Sequence, residues 1–374
     1  MTTGRILHCI PGMGGGGAER QLALLAEALP QFGWDVHVAL RSEGPNFPRL
    51  QRTPAAIHRI SGLSNHDPQI LWQLHALMRN LRPDLVQVWL VQMEVAAGLA
   101  ATLNGIPWIL SERSSDLAYP RTWKNRLRVG MARRAAAIAA NSPEGARYWA
   151  NLRDAPRQVV IPNAIPSLEI AGADRADPAE LQLPSSCRLI MFAGRFSAEK
   201  NVGIMMEAVM KVLADVPDAT MLLAGDGPLF ADAERDAIDP RFRDRIRTPG
   251  YLEDGWRWMK RANVFVSVSR FEGHPNAVLE AAACGAPLVL SDIPAHRAMF
   301  DERSALFAQW NDAPSIAAAI RAALHDADAA RSRAERARAA VAGLDIASIA
   351  SRYDDLYRGV LAVPTSNFRE KAAQ

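Results

Sequence analysis

Short apolar runs alternate with helical periodicity along this chain, and the whole alternation occurs twice. In the first half, amphipathic helical segments separate predicted strands at residues 5–10, 35–40, 85–89 and 107–110. Strands that alternate with helices favour parallel pairing in a doubly wound α/β fold. Because the alternation restarts at Arg188 and continues to Leu290, the sequence predicts two doubly wound α/β domains.

A stretch without periodicity divides the two halves. Residues 161–187 contain four prolines and scattered acidic residues, which is typical of a linker. The last long helical segments are predicted at 314–343 and 346–361. The predicted organisation is a first domain at 1–165, a linker at 166–187, a second domain at 188–345, a last helix at 346–361 that returns to the first domain, and a flexible tail at 362–374.

Two doubly wound domains joined by a linker bring the carboxyl ends of two parallel sheets face to face across a cleft. Open α/β sheets bind ligands at that edge. The loops that follow the strands are therefore the predicted location of functional residues.

Composition excludes several other classes of protein. The 374-residue chain has a formal net charge of +3, which is too small to indicate a nucleic-acid partner. Its three cysteines lie far apart and its eight histidines form no HExxH motif, so we predict no disulfide framework, metal or cofactor. No run of ~18 apolar residues occurs and the amino terminus is a poor signal peptide. We expect a cytoplasmic protein.

A glycine-rich loop, IPGMGGGGAER, follows the first strand and opens the first helix. Gly12, Gly14 and Gly17 match GxGxxG, but a dinucleotide site needs an acid near the end of the second strand. Position 37 is His, and Glu43 comes too late. The loop favours close approach of backbone to an anion at a helix amino terminus. A flexible turn without a ligand is the alternative.

Two cations follow the first strand of the second half, in MFAGRFSAEKN. Arg195 and Lys200 lie in the loop after Gly194. Arginine binds two oxygens in a fork and lysine acts as a point charge, so the pair can converge on one multiply charged group. Two solvated cations near Glu199 are the alternative.

Two glutamates stand eight residues apart in FEGHPNAVLE. Pro275 suits the first turn of a helix, and His274 or Asn276 can cap it. Glu272 then precedes the helix and Glu280 lies one turn inside it. Exposed amides at the helix start add ~+0.5 of a charge. The two acids therefore have different predicted tasks.

Five blocks of this sequence resemble, in order, those of the retaining glycosyltransferases of family 4. They are GGAER at 16–20, GRFSAEKN at 194–201, AGDGPL at 224–229, EGHPNAVLEAAACGAPLVLSD at 272–292 and YDDLY at 353–357. Glu272 and Glu280 fit the E-x7-E signature of that family. The resemblance implies the GT-B fold, in which two Rossmann-like domains face each other across a cleft.

The resemblance also implies a nucleotide-sugar donor and a role for each matching residue. Arg195 and Lys200 would hold the donor diphosphate. Glu272 would touch the donor sugar, and Glu280 would bind the ribose hydroxyls. Further donor contacts would come from Gly16, Gly17, Gly250, Tyr251, His274, Pro275, Asn276 and Ala277. Glu272, Arg195 and Lys200 would be the catalytic group, and the sugar would be transferred with retention and without a metal.

One departure concerns the acceptor side. Many family members carry a His-Asp pair after the fourth strand, where this chain has Ser111-Glu112-Arg113. Glu112 or Arg113 could contact the acceptor, or the two could form a surface ion pair. The Asp-x-Asp pattern of metal-dependent transferases occurs only as Asp326-Ala327-Asp328, in an alanine-rich segment that we expect at the surface.

The donor and acceptor classes stay broad. The donor would be a UDP- or GDP-linked hexose or N-acetylhexosamine, and the acceptor a glycan or a polyprenyl-linked glycan of cell-surface polysaccharide or glycolipid synthesis. A sugar-nucleotide epimerase, a glycogen-type phosphorylase and a non-catalytic partner in a polysaccharide-synthesis complex are the alternatives.

A basic segment at Arg121–Arg134 suggests a membrane surface. RTWKNRLRVGMARR contains six basic residues and no acid. On a helix, Trp123, Leu127 and Met131 share one stripe. The basic residues flank it, with Lys124 and Arg128 along one edge and Arg126 and Arg133 beyond the other, and this arrangement suits a helix resting on anionic lipid. The alternative is a stripe packed on the first sheet. The prediction is peripheral association with the inner face of the cell membrane.

Overall fold

The computed structural model describes residues 3–62, 64, 67–114, 119, 122–152, 155–237 and 239–363. The chain forms two compact units, Met1–Ala164 with Leu344–Gln374, and Ile165–Gly343. Residues 364–374 of the predicted tail lie outside the described residues, as does Arg121 of the basic segment.

A parallel sheet forms the centre of the first unit. Its strands are β1 Gly4–Cys9, β2 Trp34–Leu40, β3 Ala56–Arg59, β4 Leu85–Trp89, β5 Trp108–Glu112, β6 Ala137–Ala140 and β7 Arg157–Val160. The strand order is β3-β2-β1-β4-β5-β6-β7. β4 and β5 are buried along their whole length, as is typical of parallel strands covered on both faces.

Helices cover both faces of this sheet. They are α1 Gly17–Ala28, α2 Phe47–Gln51, α3 Pro68–Leu81, α4 Val91–Leu103, α5 Trp123–Ala132 and α6 Pro143–Ala150. α1 packs in one apolar core with Val36 and Val38, and α3 and α4 pack in another with Leu7 and Val88. The Asp67 and Ser142 side chains accept hydrogen bonds from the first-turn amides of α3 and α6.

The second unit repeats this plan with a smaller parallel sheet. Its strands are β8 Arg188–Ala193, β9 Ala219–Ala224, β10 Ile246–Gly250, β11 Val264–Ser267, β12 Leu288–Ser291 and β13 Leu306–Ala308, in the order β10-β9-β8-β11-β12-β13. Its helices are α7 Ser167–Gly172, α8 Val202–Asp215, α9 Phe230–Ala237, α10 Gly255–Arg261, α11 Asn276–Ala283, α12 Pro294–Arg297, α13 Ala313–His325 and α14 Ala327–Val341. The prediction of two doubly wound, Rossmann-like units is confirmed.

The last helix, α15 Ile346–Leu361, makes its polar contacts in the first unit. Trp34 Nε1 donates to Asp354 at 2.8 Å, and the Tyr357 hydroxyl donates to Gln87. Tyr353 and Tyr357 are buried in the same core as α1. The block YDDLY therefore attaches this helix to the first sheet.

Two of the predicted segments have a different secondary structure from the one expected. The predicted helical stretch at 314–343 is two helices, because the Asp326 side chain accepts from the Ala329 amide at 2.9 Å and starts α14 there. The 166–187 stretch contains α7 and a 3₁₀ turn at Pro178–Leu181. In that stretch the Ala176 amide donates to the Arg257 carbonyl at 3.1 Å, which fastens it to the second unit.

Candidate active site

The loops after β8 and β9 are joined by backbone hydrogen bonds at the carboxyl edge of the second sheet. The Gly194 amide donates to the Ala224 carbonyl at 3.0 Å. The Phe196 amide donates to the Asp226 carbonyl at 2.9 Å. The loop that carries Arg195 is therefore fixed by its neighbour.

Glycines make this close approach possible. A Cβ atom at Gly225 would lie 1.9 Å from the Gly194 carbonyl oxygen, and one at Gly227 would lie 2.5 Å from the Phe196 carbonyl oxygen. The Gly225 amide donates to the Gly250 carbonyl at 2.7 Å, which ties the end of β10 to the same group. The AGDGPL block thus packs three strand ends together.

Lys200 and Glu272 meet at this edge. Lys200 Nζ lies 2.5 Å from Glu272 Oε1, and the Ser269 hydroxyl donates to the same oxygen at 2.7 Å. Lys200 ends the 3₁₀ turn Ala198–Lys200 after β8, and Glu272 follows β11. Because β8 and β11 are adjacent parallel strands, residues 72 positions apart come together.

The Glu272 carboxyl is nearly enclosed and ionised. Burial favours its neutral form, but the Lys200 charge and hydrogen bonds from Lys200 and Ser269 outweigh burial. The pKa of Glu272 consequently lies below its usual value. Among the described residues Oε2 of Glu272 has no hydrogen-bond partner, and 11% of the side chain is exposed. That oxygen can accept from a ligand hydroxyl.

Arg195 differs from Lys200 in its surroundings. Its side chain is exposed, and the described part of the chain offers its guanidinium neither an ion-pair nor a hydrogen-bond partner. Arg195 is therefore a cation presented at the carboxyl edge, whereas Lys200 is already bound to a carboxylate.

The start of α11 follows Glu272 directly. The helix begins at Asn276, and Pro275 occupies the N-cap position without a side-chain cap. The prediction that His274 or Asn276 caps the helix is wrong, because the proline lies one position earlier than expected. His274, Pro275, Asn276 and Ala277 surround the helix start, where first-turn amides lack intrahelical acceptors.

Glu280 lies in the second turn of α11 and is buried. Trp256 Nε1, in α10, donates to Glu280 Oε2 at 2.9 Å. Glu272 and Glu280 therefore have different partners. No sequence signal pointed to Trp256. Ser269 could have been predicted as a neighbour of Glu272, because it lies three residues before Glu272 in the loop after β11.

The remaining predicted donor contacts lie at strand ends and helix starts. Gly250 ends β10 with a φ of 79°, and Tyr251 is partly exposed beside it. In the first unit, Gly16 is the N-cap residue of α1 and Gly17 its first residue. The Asn46 side chain donates to the Gly14 carbonyl at 2.5 Å, which holds the glycine loop against the segment after β2.

Glu112 lies at the end of β5 and is fully buried. Four donors surround its oxygens: the Ser114 amide and the Tyr119 hydroxyl at 2.9 and 2.5 Å, and Trp149 Nε1 and Arg128 Nη2 at 2.9 and 2.8 Å. The alternative of a surface ion pair with Arg113 is wrong, because the partner of Glu112 is the buried Arg128. Arg128 also binds the buried Glu94.

Arg113 is held in place by three groups. Its guanidinium stacks 4.3 Å from the Trp89 ring centroid, and it donates to Asn163 Oδ1 at 3.0 Å and to the Tyr353 hydroxyl at 2.6 Å. Arg113 follows β5, so this cation lies at the carboxyl edge of the first sheet. The α15 helix thus helps to fix its position.

The basic helix α5 has a different face from the predicted one. Trp123 and Leu127 are 67% and 51% exposed, and Arg126 is exposed beside them. Met131 is half-buried, and Arg128 points inward. The prediction that Arg128 lines the exposed stripe is wrong, because its buried guanidinium forms ion pairs with Glu94 and Glu112. The Lys124 side chain lies outside the described residues.

No group of three histidine, cysteine, aspartate or glutamate side chains is arranged to hold a metal ion in the described part of the chain. No described helix is both long enough and apolar enough to cross a bilayer. Asp326 and Asp328 are exposed at the start of α14.

Comparison with protein families gives two matches, one in each half of the chain. Residues 15–167 match the Glycosyltransferase Family 4 model, and residues 187–326 match the Glycosyl transferases group 1 model. The chain belongs to the glycosyltransferases. The second match contains Arg195, Lys200, Glu272 and Glu280.

Two relatives of this glycosyltransferase are a galactosyltransferase and a lipopolysaccharide core biosynthesis glycosyltransferase. It is 24% identical to the Escherichia coli UDP-Gal:alpha-D-GlcNAc-diphosphoundecaprenol alpha-1,3-galactosyltransferase, over 79% of this chain and 81% of the relative. It is 27% identical to the lipopolysaccharide core biosynthesis glycosyltransferase LpsE of Rhizobium meliloti, over 88% of this chain and 91% of the relative.

Solved structures support the fold of this glycosyltransferase. HepE of Anabaena in complex with UDP-glucose matches with a TM-score of 0.81 and 18% identity, over 95% of this chain and all of the other. WaaG, a glycosyltransferase involved in lipopolysaccharide biosynthesis, matches with a TM-score of 0.76 and 14% identity, over the same shares. At these identities the likeness concerns the GT-B fold.

Proposed function

We propose that this glycosyltransferase moves a hexose or N-acetylhexosamine from a nucleotide-sugar to a glycan or lipid-linked acceptor, with retention and without a metal. The pathway class would be cell-surface polysaccharide or glycolipid synthesis, as in the relatives named above. The observation that carries the proposal is the ionised Glu272, which Lys200 and Ser269 hold by one oxygen while the other remains available.

The leaving group would be stabilised at the carboxyl edge of the second sheet. As the glycosidic bond stretches, negative charge gathers on the nucleoside diphosphate. The exposed Arg195, the Lys200 ammonium and the start of α11 offer positive charge there. Lys200 and the start of α11 are in place before reaction, and removing one preorganised donor of this kind typically costs about 3 kcal/mol.

Glu272 would orient the donor sugar. Its ionised Oε2 can accept from a sugar hydroxyl. Through Oε1, Glu272 also binds Lys200, so the residue proposed for the donor sugar is linked to a residue proposed for the donor phosphates. A fixed acceptor atom holds the anomeric carbon in one geometry, which lowers the entropy cost of reaction.

The nucleoside half would bind towards β10. Glu280 would accept from the ribose hydroxyls, with Trp256 fixing its carboxylate, and Gly250 and Tyr251 would frame the base. The E. coli relative is named for UDP-galactose, and HepE was solved with UDP-glucose. We therefore place UDP-sugars first among the candidate donors, with GDP-sugars as the second group.

The acceptor would meet the first unit. The E. coli relative acts on a sugar linked to diphosphoundecaprenol, so a polyprenyl-linked acceptor fits, and Arg113 would offer it a fixed cation. Glu112 can contact an acceptor only through the donors that now enclose it. Exposed Trp123 and Leu127 on α5 would rest on the membrane that carries such an acceptor.

The test is a donor panel with product analysis. UDP-glucose, UDP-galactose, their N-acetyl forms and GDP-mannose would be incubated with the protein, with and without polyprenyl-diphosphate-linked N-acetylglucosamine. We expect nucleotide release that the acceptor stimulates, and a product with the donor's anomeric configuration. Release of a free epimerised sugar, or no release from the panel with any lipid extract, would contradict the proposal.

A further inference from the structure

A fully buried histidine lies beside the Glu272 site. His296 belongs to the one-turn helix α12, directly after β12. We propose that His296 is a positioning residue for Glu272, acting through Ser291 and Ser269. The inference rests on the proposed function, because it assigns Glu272 to the donor sugar.

The hydrogen bonds of His296 determine where its proton lies. Nδ1 is 2.9 Å from the Ser291 carbonyl oxygen and 3.2 Å from the Ser291 hydroxyl. A carbonyl oxygen only accepts, so Nδ1 carries the proton and Nε2 of the neutral ring carries none. Burial lowers the pKa of His296, and the nearby Glu272 charge opposes burial without cancelling it. The ring is therefore neutral at pH 7.

Two serines continue this contact to the carboxylate. The Ser291 hydroxyl donates to the Ser269 carbonyl at 2.7 Å, and the Ser269 hydroxyl donates to Glu272 Oε1 at 2.7 Å. Ser269 and Ser291 are fully buried, as is His296. Since the His296 proton and the Ser269 carbonyl lie on two sides of the Ser291 hydroxyl, its direction is set. This series of hydrogen bonds joins the loop after β11 to the loop after β12.

The hydrogen bonds that start at His296 end at the Glu272 carboxylate. Glu272 Oε1 receives bonds from Ser269 and Lys200, which leaves Oε2 for the donor. If Ser291 lost its fixed donor, the Ser269 loop could move and Oε2 would move with it. The rate of catalysis falls steeply, by up to about 100-fold, when a group that positions the substrate is displaced by about 1 Å.

The two ring nitrogens separate this role from others. Nε2 of His296 is enclosed and has no hydrogen-bond partner in the described structure, so the positioning role belongs to Nδ1. An asparagine places an amide donor near Nδ1, and a glutamine places one near Nε2. The variants His296→Asn and His296→Gln therefore test one nitrogen each, and His296→Leu removes both.

The kinetic experiment compares these variants with a matched control. His325→Asn changes an exposed histidine in the last turn of α13. We expect His296→Gln and His296→Leu to lower kcat about tenfold with little change in the donor KM, as the loss of one enclosed hydrogen bond predicts. We expect His296→Asn to stay close to the wild type, like the control. Equal kcat values for the Asn, Gln and Leu variants would overturn the proposal.

A second readout does not depend on sugar transfer. The Tm of each variant is compared with the Tm of the same variant carrying Glu272→Gln, from pH 4 to pH 8, which reports the protonation of Glu272. We expect the pKa of Glu272 to rise in His296→Leu and His296→Gln, because the Ser269 bond weakens, and not in His296→Asn. An unchanged pH dependence would overturn the inference. Absence of transfer in the wild type would contradict the proposed function alone.

Discussion

The Lys200 ammonium lies 2.5 Å from Glu272 Oε1, so the cation assigned to the donor phosphates is held by the carboxylate assigned to the donor sugar. The two predicted roles therefore depend on each other. Lys200 keeps Glu272 ionised in a nearly enclosed place, and Glu272 keeps Lys200 directed at the edge of the sheet. Arg195 has no carboxylate partner among the described residues, so its predicted role does not depend on Glu272 in this way.

This difference separates two alanine variants. Lys200→Ala should weaken donor binding and also lower the free energy of unfolding by about 2 kcal/mol, because it leaves a buried carboxylate without its partner. Arg195→Ala should weaken donor binding and leave stability unchanged, because its side chain is exposed. Nucleotide-sugar titration and urea unfolding measure the two effects. Equal stability of both variants would contradict this prediction.

The stability loss in Lys200→Ala should depend on pH. In the wild type the pKa of Glu272 is lowered, so its contribution is present above the usual glutamate value of 4.5 and is lost as the pH falls through the lowered pKa. Without Lys200, burial dominates and the pKa rises. The variant should then lose stability as the pH rises through 4.5, so its Tm deficit should grow between pH 4 and pH 7.

The two glutamates should give different kinetic profiles. Glu280→Gln should mainly raise the donor KM, because a ribose contact is lost equally from the bound donor and the transition state. Glu272→Gln should mainly lower kcat, if its contact strengthens as the bond breaks. Trp256→Phe should resemble a mild Glu280→Gln, because it removes the indole donor to Glu280. Identical profiles for Glu272→Gln and Glu280→Gln would remove the distinction.

The fold was accessible from the sequence because its central strands are continuous apolar runs. β1, β4, β8 and β9 are buried strands between helices, and hydrophobic periodicity alone located them. The short strands β3, β6, β7, β10 and β13 were not predicted. Each has three to five residues, and all but β6 lie at an edge of their sheet, so none gives a clear period.

The candidate site was less accessible because its contacts join distant residues. The glycines and the two glutamates were visible as local motifs. The bond from Trp256 to Glu280, the Arg113 contact with Tyr353 across 240 positions, and the burial of Arg128 depend on which loops the topology brings together. A basic run on a helix indicates a charged face, but it does not show which cation turns inward to a buried acid.

Activity should survive chelation. In the proposed mechanism Arg195 and Lys200 offset the charge of the leaving nucleoside diphosphate, so transfer should not depend on a divalent ion. We expect turnover in about 5 mM EDTA to match turnover without EDTA. Complete loss that only Mg²⁺ or Mn²⁺ restores would contradict the proposal.

The buried group Glu94–Arg128–Glu112 should govern the stability of the first unit. Arg128 is fully buried between two carboxylates and stacks 4.6 Å from the Trp149 ring centroid. Arg128→Met should lower the free energy of unfolding by about 3 to 5 kcal/mol, because it leaves two enclosed carboxylates without their shared cation. Arg126→Met, an exposed residue of the same helix, is the control. Equal unfolding midpoints of the two variants would contradict this prediction.

Helix α5 provides the test of membrane association. Trp123 and Leu127 are one turn apart and exposed, with Arg126 beside them, so this face offers apolar contact and positive charge together. Each basic residue near anionic lipid contributes about 1 kcal/mol, and salt screens that attraction. We expect the protein to sediment with phosphatidylglycerol vesicles at low salt and to be released at high salt. Trp123→Ser with Leu127→Ser should abolish sedimentation, whereas Trp72→Ser, at an equally exposed tryptophan on α3, should not. Protein that stays in the supernatant at low salt would favour a soluble acceptor.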